Sequence, residues 1–332
     1  MKRRVVVMVV DGFTDSGLSI ALDVFRAANS LARRRGVPPP FTVAVASPDA
    51  GPVRAASGLV FEATRTAARI GKADVVLVPG LWVESAAEID AACARDDVRR
   101  LLPVLERAHD RGAIVGASCT GAFLLAEAGL LDGRRCTTAW WLSPHLSARH
   151  PSVTLDADLS LVVDERVATT GAVFAQADLA LHLVAHFAGP ELAQECGQVL
   201  LLDRHPLQAG YMAMQHLSAS DDRIRRAERW ARAHLADDFD IAALARRCGM
   251  SPRTFARRLA DSVGLSPIAF VRRLRAEVAT RLIATTALSL DEVGRRVGYR
   301  DADSLRRLLL RETGTTPREI RRRRASEPVR AR

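Results

Sequence analysis

Residues 241–273 and 290–322 carry one pattern written twice. In the first copy, Ala245-Arg246-Arg247-Cys248-Gly249-Met250-Ser251 leads into Arg253-Thr254-Phe255-Ala256-Arg257-Arg258-Leu259, with Gly264 and Pro267 beyond. In the second, Gly294-Arg295-Arg296-Val297-Gly298-Tyr299 leads into Asp303-Ser304-Leu305-Arg306-Arg307-Leu308, with Gly314 and Pro317 beyond. A helix, a glycine turn and a second helix with an arginine-rich face is the sequence form of a helix-turn-helix. Its duplication constrains the last third of the chain to an all-α arrangement.

Helical geometry separates the two faces. At about 100° per residue, Arg257 falls about 40° from Arg253, with Thr254 and Arg258 beside them, while Phe255 and Leu259 lie on the far side. In the second copy Arg300, Ser304, Arg307 and Arg311 form an i, i+4, i+7, i+11 stripe, and Leu305, Leu308 and Leu309 cover the inward arc. Arginine's planar fork pairs bidentately with guanine or with phosphate. Charge is divided accordingly: residues 221–332 hold 27 Lys+Arg against 15 Asp+Glu, leaving 21 against 23 before them. A basic region joined to a near-neutral one is the electrostatic footprint of nucleic-acid binding.

These residues resemble the AraC/XylS family of bacterial transcription regulators over about residues 222–323, including the ending Arg311-Glu312-Thr313-Gly314-Thr315-Thr316-Pro317-Arg318. The resemblance implies two helix-turn-helix units joined by a long helix, expected over Pro267 to Leu288. Carried over by position, it implies that Arg253, Thr254, Arg257 and Arg258 face DNA from the first unit, and Arg300, Ser304, Arg306 and Arg307 from the second. The family often has aromatic residues where this chain has Ser304, Leu305 and Leu309, so the second unit diverges.

At 332 residues and 48% hydrophobic content, the chain is long enough for two or three domains, each with its own core. The apolar run Val5–Val10 stops at Asp11, too soon for a signal peptide, and no apolar stretch reaches membrane-spanning length. The cysteines at 93, 119, 136, 196 and 248 show neither metal-ligand spacing nor a disulfide framework. A cytoplasmic chain without metal or cofactor is expected.

Residues 5–188 alternate apolar strand-like runs (Val5–Val10, Phe41–Ala46, Val75–Val78, Ala113–Ala117) with amphipathic segments (Leu18–Arg35, Ser85–Arg111). This rhythm predicts a doubly wound α/β domain with a mostly parallel sheet, whose ligands bind beyond the C-terminal strand ends. Three such ends stand out: Asp11 to Asp15, Pro79-Gly80-Leu81, and Gly116 to Gly121 around Cys119. The last resembles a nucleophile elbow with Cys in place of Ser. A thiol at a helix N-terminus gains a lowered pKa, whereas a small apolar residue filling a tight turn needs none, and both readings stay open on spacing alone.

The run from Cys119 to Trp141, with Thr169-Thr170-Gly171 and Asp178 to Leu183 further on, resembles the ThiJ/PfpI branch of the class I glutamine-amidotransferase-like superfamily over about residues 4–188. Regulators of the GlxA-like group join this domain to an AraC/XylS-type one. The resemblance implies a flavodoxin-like fold and a pocket around Asp15, Gly80, Leu81, Cys119, Thr120 and Trp140. Several departures bear on chemistry. Thr120 stands where enzymes of the superfamily have His. Thr137-Thr138-Ala139-Trp140 replaces Thr-Thr-His-Trp. Leu81 replaces the second glycine of a Pro-Gly-Gly loop, with its N–H still expected to line an anion pocket. His145 and His150 are expected at the surface. Cys119 is thus left without a base, a degenerate elbow in a domain expected not to catalyse.

Asp11 and Asp15 are weighed as carboxylates near Cys119, with helix N-capping the alternative for Asp15. Phe13, Trp82, Trp140 and Trp141 are candidate pocket-wall aromatics. Expected boundaries are 4–188 for the sensing or dimerising domain, 189–221 for a helical linker broken at Arg204-His205-Pro206, 222–324 for the DNA-binding domain, and 325–332 for a basic tail. Expected partners are duplex DNA with two half-sites, a small-molecule effector, a second copy of the chain and RNA polymerase, without a membrane. A cysteine-dependent hydrolase or hydratase with an accessory DNA-binding domain, and redox sensing through Cys119, are the competing functions.

Overall fold

Four apolar runs assemble the centre of the first unit. The computed structural model describes residues 2–49, 51–63, 65–66, 72–202, 208, 221–237 and 239–325. The chain divides into two units, Met1–Gln208 and Ala209–Arg332. The first contains β1 (Arg3–Met8), α1 (Asp15–Arg34), β2 (Phe41–Ser47), β3 (Gly51–Arg54), β4 (Val60–Ala63), β5 (Arg65–Thr66), β6 (Val75–Val78), α2 (Ala86–Cys93), α3 (Asp96–Asp110), β7 (Ile114–Ser118) and α4 (Gly121–Glu127). After these come β8 (Arg135–Cys136), α5 (Ser143–Arg149), β9 (Thr154–Leu155), β10 (Leu161–Asp164), β11 (Val167–Thr170), α6 (Gln176–Ala188) and α7 (Pro190–Val199).

The main sheet runs β10-β11-β7-β6-β1-β2-β5. Its interior pairs are parallel, in registers such as Val5 with Val43 and Val75, Leu77 with Gly116, and Thr170 with Ser118. Continuous apolar strands suit this placement, because strands covered on both faces lose the hydrophobic–polar alternation; β6 and residues 5–8 of β1 are buried throughout. The chain reverses direction across the sheet between β1 and β6, which sets the loops after β1, β6 and β7 around a switch-point crevice. α1 packs with α6 and α7, and α2, α3 and α4 pack with one another. The antiparallel edge strand β10 makes the sheet mixed.

The second unit contains α8 (Asp222–Ala233), α9 (Ile241–Arg247), α10 (Pro252–Val263), α11 (Pro267–Thr285), α12 (Leu290–Arg296), α13 (Ala302–Thr313) and α14 (Pro317–Ala325). Its helix starts repeat in chemistry. Asp240 and Ser251 cap α9 and α10, and Ser289 and Asp301 cap α12 and α13, each accepting a backbone N–H of the first turn. α10 and α13 both end on a left-handed glycine, Gly264 at φ 72° and Gly314 at φ 64°, a conformation that costs glycine little and other residues more. The connecting helix α11 ends at Thr285 rather than Leu288, because its C-cap Thr286 is already extended. Phe255 and Phe270 meet edge-on in the first half-core, while Ile283, Val293, Val297, Leu305, Leu308 and Leu309 form the second. The linker break at Arg204-His205-Pro206 and the tail from residue 326 lie outside the described residues.

Candidate functional site

In the second unit, α10 presents Arg253 and Arg257 exposed, whereas Phe255 and Leu259 are buried. Thr254 is half-buried, and its N–H bonds the Ser251 hydroxyl as part of the cap. Arg258 departs from the expected DNA-facing role. Its Nη1 donates to the Asp221 carboxylate at 2.6 Å, and Asp221 also caps α8 through the Arg223 and Ile224 N–H groups. Burial disfavours the Asp221 charge, but Arg258 and those backbone donors outweigh it and hold the carboxyl below its usual range. Arg258 therefore ties α10 to the start of α8.

On the second recognition helix, α13, Arg306, Arg307 and Arg311 are exposed, and Arg306 pairs with Asp303 at 2.5 Å. Arg300 is exposed but precedes the helix, which begins at Ala302 behind the cap residue Asp301. The expected stripe from Arg300 to Arg311 is thus corrected: Arg300 sits on the approach turn, where the helical angle does not apply. Ser304 is part of the cap, bonding Asp301 through both its N–H (2.7 Å) and its hydroxyl (2.9 Å), while accepting Arg307 Nη2 at 3.2 Å. Behind this face, Glu312 is buried against the guanidinium groups of Arg272 and Arg273 on α11. That ion cluster fixes the orientation of α13 on the connecting helix.

In the first unit, β7 delivers Cys119 into a sharp turn. Its φ of 55° is one of three positive values on non-glycine residues among those described, as an elbow demands. The Cys119 N–H donates to Thr170 C=O at 2.9 Å, and its C=O accepts the Thr138 hydroxyl at 2.9 Å. Gly80 lies directly above; a Cβ there would stand 2.9 Å from the Cys119 Cβ. Of the two readings left open for this thiol, burial favours the small residue filling a tight turn. Burial, partly opposed by the Thr120 N–H and hydroxyl, pushes the Cys119 thiol up to about 12.

The expected anion pocket at Leu81 is also filled. The Thr120 hydroxyl accepts the Leu81 N–H and donates to the Leu81 C=O, both at 2.7 Å. Neither aspartate turns its carboxylate to Cys119: Asp15 holds the Ser57 N–H and hydroxyl, and Asp11 accepts the Arg54 N–H. Asp15 is the first residue of α1 and Thr14 its N-cap, so the capping alternative for Asp15 is corrected as well. Phe13 is a core residue packed edge-on against Phe61. Trp82 is exposed, and Trp140 and Trp141 are half-buried and meet edge-on at 5.3 Å.

Residues 3–186 match the model of the DJ-1/PfpI family, and residues 244–323 match that of a helix-turn-helix domain. The chain belongs to the DJ-1/PfpI family. Among curated proteins, it is 27% identical to the HTH-type transcriptional regulator GlxA of Rhizobium meliloti (strain 1021), over 98% of this chain and 97% of that protein. It is 24% identical to the HTH-type transcriptional regulator GbdR of Pseudomonas aeruginosa (strain UCBPP-PA14), over 95% of this chain and 83% of that one. The fold is shared with Drosophila melanogaster DJ-1beta, at a TM-score of 0.50 and 22% identity over 61% of this chain and 100% of that one. A ThiJ/PfpI family protein from Pseudomonas syringae gives a TM-score of 0.50 at 20% identity, over 62% of this chain and 77% of that one.

Within the DJ-1/PfpI domain, the two histidines expected at the surface are half-buried and partnered. His145 meets Asp90 at 2.8 Å and stacks on Phe123, and His150 meets Glu127 at 3.2 Å. Their ring nitrogens thus serve carboxylates on α2 and α4. Thr138, a residue of the quoted Thr137-Thr138-Ala139-Trp140 run, proves to brace the elbow, a role its sequence setting did not disclose. Gln208 was missed altogether, because no local pattern marks it.

Proposed function

We propose that this chain is a sequence-specific DNA-binding regulator of transcription whose DJ-1/PfpI domain binds a small molecule without turning it over. The observation that carries the reading is the pairing of exposed Arg253 and Arg257 on α10 with exposed Arg306, Arg307 and Arg311 on α13, each set on a helix anchored by its cap and buried apolar face. Two such helices suit successive major-groove segments of one duplex face. The names of GlxA and GbdR as HTH-type transcriptional regulators support the same reading.

The absence of turnover is inferred from the elbow itself. A thiol held protonated by burial is a poor nucleophile, and Thr120 occupies the Leu81 N–H that would otherwise receive an oxyanion. A buried thiol of this kind also offers little to peroxide. Assembly as a homodimer through the DJ-1/PfpI domain on two half-sites, contact with RNA polymerase and action in the cytoplasm complete the proposal.

The deciding experiment is selection of genomic fragments by the purified full chain at fixed salt, followed by competition with bulk duplex. A recovered promoter should hold at least about 10³-fold against the competitor, the lower end for specific binders. Binding that the competitor removes as readily as any other duplex overturns the reading.

A further inference from the structure

Gln208, the last residue of the first unit, buries its carboxamide inside the DJ-1/PfpI domain at 4% exposure. Its N–H donates to Asp158 C=O at 2.9 Å. The side-chain nitrogen lies 3.1 Å from the Thr137 hydroxyl, 3.1 Å from Thr138 C=O and 2.8 Å from Ala157 C=O. None of the three oxygens can donate back. Two are carbonyls, and the Thr137 hydroxyl spends its own proton on Leu159 C=O at 2.9 Å.

An amide nitrogen carries two N–H bonds, fewer than the acceptors around it. At its other end the match is worse. The Gln208 carbonyl oxygen is buried with no hydrogen-bond partner and presses on Gly171, where a Cβ would stand 2.0 Å from it. The hydroxyls of Thr170, just before Gly171, and of Ser118, opposite Thr170 in the sheet, are also buried and unpartnered. Thr138 links this corner to the elbow through its bond to Cys119 C=O. A buried polar cluster satisfied this incompletely suits another occupant.

We propose that Gln208 is the resident occupant of a ligand site, and that the ligand is a small molecule bearing a protonated primary amine. An ammonium group supplies three N–H bonds to the three oxygens, in charge-assisted hydrogen bonds, and leaves no carbonyl stranded against Gly171. The proposal rests on the sensing reading above and names its site. Because Gln208 and the ligand need the same oxygens, binding expels the residue from which the chain continues toward Asp221 and the second unit. Ligand occupancy and burial of the Gln208 carboxamide become mutually exclusive, as a population switch requires.

The test uses the full chain, wild type and with Gln208→Ala, melted in rising methylammonium chloride at constant ionic strength, with tetramethylammonium and acetamide as comparators. Methylammonium should raise the Tm of Gln208→Ala with a half-saturating concentration about ten-fold below that of wild type, since the internal competitor is gone. Tetramethylammonium, which has no N–H, should do nothing. Stabilisation by tetramethylammonium, by acetamide alone, or with equal half-saturation in both proteins overturns the proposal. If Gln208→Ala does not fold, Gly171→Ala makes the same comparison: Gly171 is outside the left-handed region, so alanine fits the backbone but takes the space of the Gln208 oxygen. Promoter binding separates the two layers. A methylammonium-induced Tm rise with promoter affinity unchanged removes the sensing reading and leaves the site, whereas intact promoter binding with no Tm rise removes the site alone.

Discussion

The Thr120 hydroxyl forms a closed pair of hydrogen bonds with the backbone of Leu81, accepting its N–H and donating to its C=O, each at 2.7 Å. Both residues are buried, so removing the hydroxyl strands a backbone donor and acceptor without water. Thr120→Val should lower unfolding stability by about 1–3 kcal/mol, while Thr120→Ser, which keeps the oxygen, should lose much less. Urea titration checks this, with a shifted midpoint at unchanged slope as the expected form. Equal losses for Val and Ser would place the cost in packing.

The buried thiols set an alkaline limit. Burial is the largest cause holding Cys93, Cys119 and Cys136 near 12 and Cys196 near 11, against an ordinary value of 9.0. The sign follows from linkage. Above pH 9 the unfolded chain releases thiol protons that the folded chain retains, so stability is fully present below pH 9 and falls as pH rises toward 12. Cys119→Ala should reduce the slope of that decline by about 1.4 kcal/mol per pH unit. Unfolding midpoints of wild type and variant between pH 8 and 11 measure it, and parallel curves would sink the idea. A thiol reagent at pH 8 should label Cys119 only after denaturation.

Legibility in the sequence followed the range of each interaction. The strands of the sheet centre, the elbow at Cys119 and the doubled helix-turn-helix were readable because runs, turns and caps are local. The antiparallel edge strand β10 was not, since Leu161–Asp164 is a short half-buried run whose direction depends on its partner β11. Arg258 looked like Arg257 because both lie on the outer arc of α10, and only Asp221, 37 positions away, distinguishes them. Gly80 lies over Cys119 as the turn chemistry suggested, but the closure of Leu81 by Thr120 spans 39 positions. Gln208 belongs to the same class, with partners 51 to 71 positions distant.

Glu312 offers a test of the second helix-turn-helix unit. It is 4% exposed, beside Arg273 at 5%, and its carboxylate also pairs with Arg272. Glu312→Ala removes the buried carboxylate that Arg272 and Arg273 share, which should cost about 3–5 kcal/mol. Thermal unfolding followed by far-ultraviolet circular dichroism checks this. Recovery in Glu312→Ala combined with Arg273→Met would assign the loss to the stranded charge, because an apolar side chain of similar length needs no partner.

Arg257 and Arg258 are adjacent, yet their variants should fail differently. Arg257 is exposed and makes no ion pair among the described residues, so Arg257→Ala should leave unfolding unchanged, weaken promoter binding by about 1–3 kcal/mol if it reads a base, or reduce the salt slope by about one if it contacts phosphate. Arg258 spends its guanidinium on Asp221, with the pair at 39% and 14% side-chain exposure. Partial solvent access keeps such a pair modest, about 0–1 kcal/mol, and Arg258→Ala should therefore show a small loss of stability with the salt slope intact. Binding titrations at several salt concentrations, paired with urea melts of the same samples, separate the two. An Arg258→Ala variant that binds as poorly as Arg257→Ala while unfolding like wild type would return Arg258 to the DNA-facing surface and leave Asp221 as a cap alone.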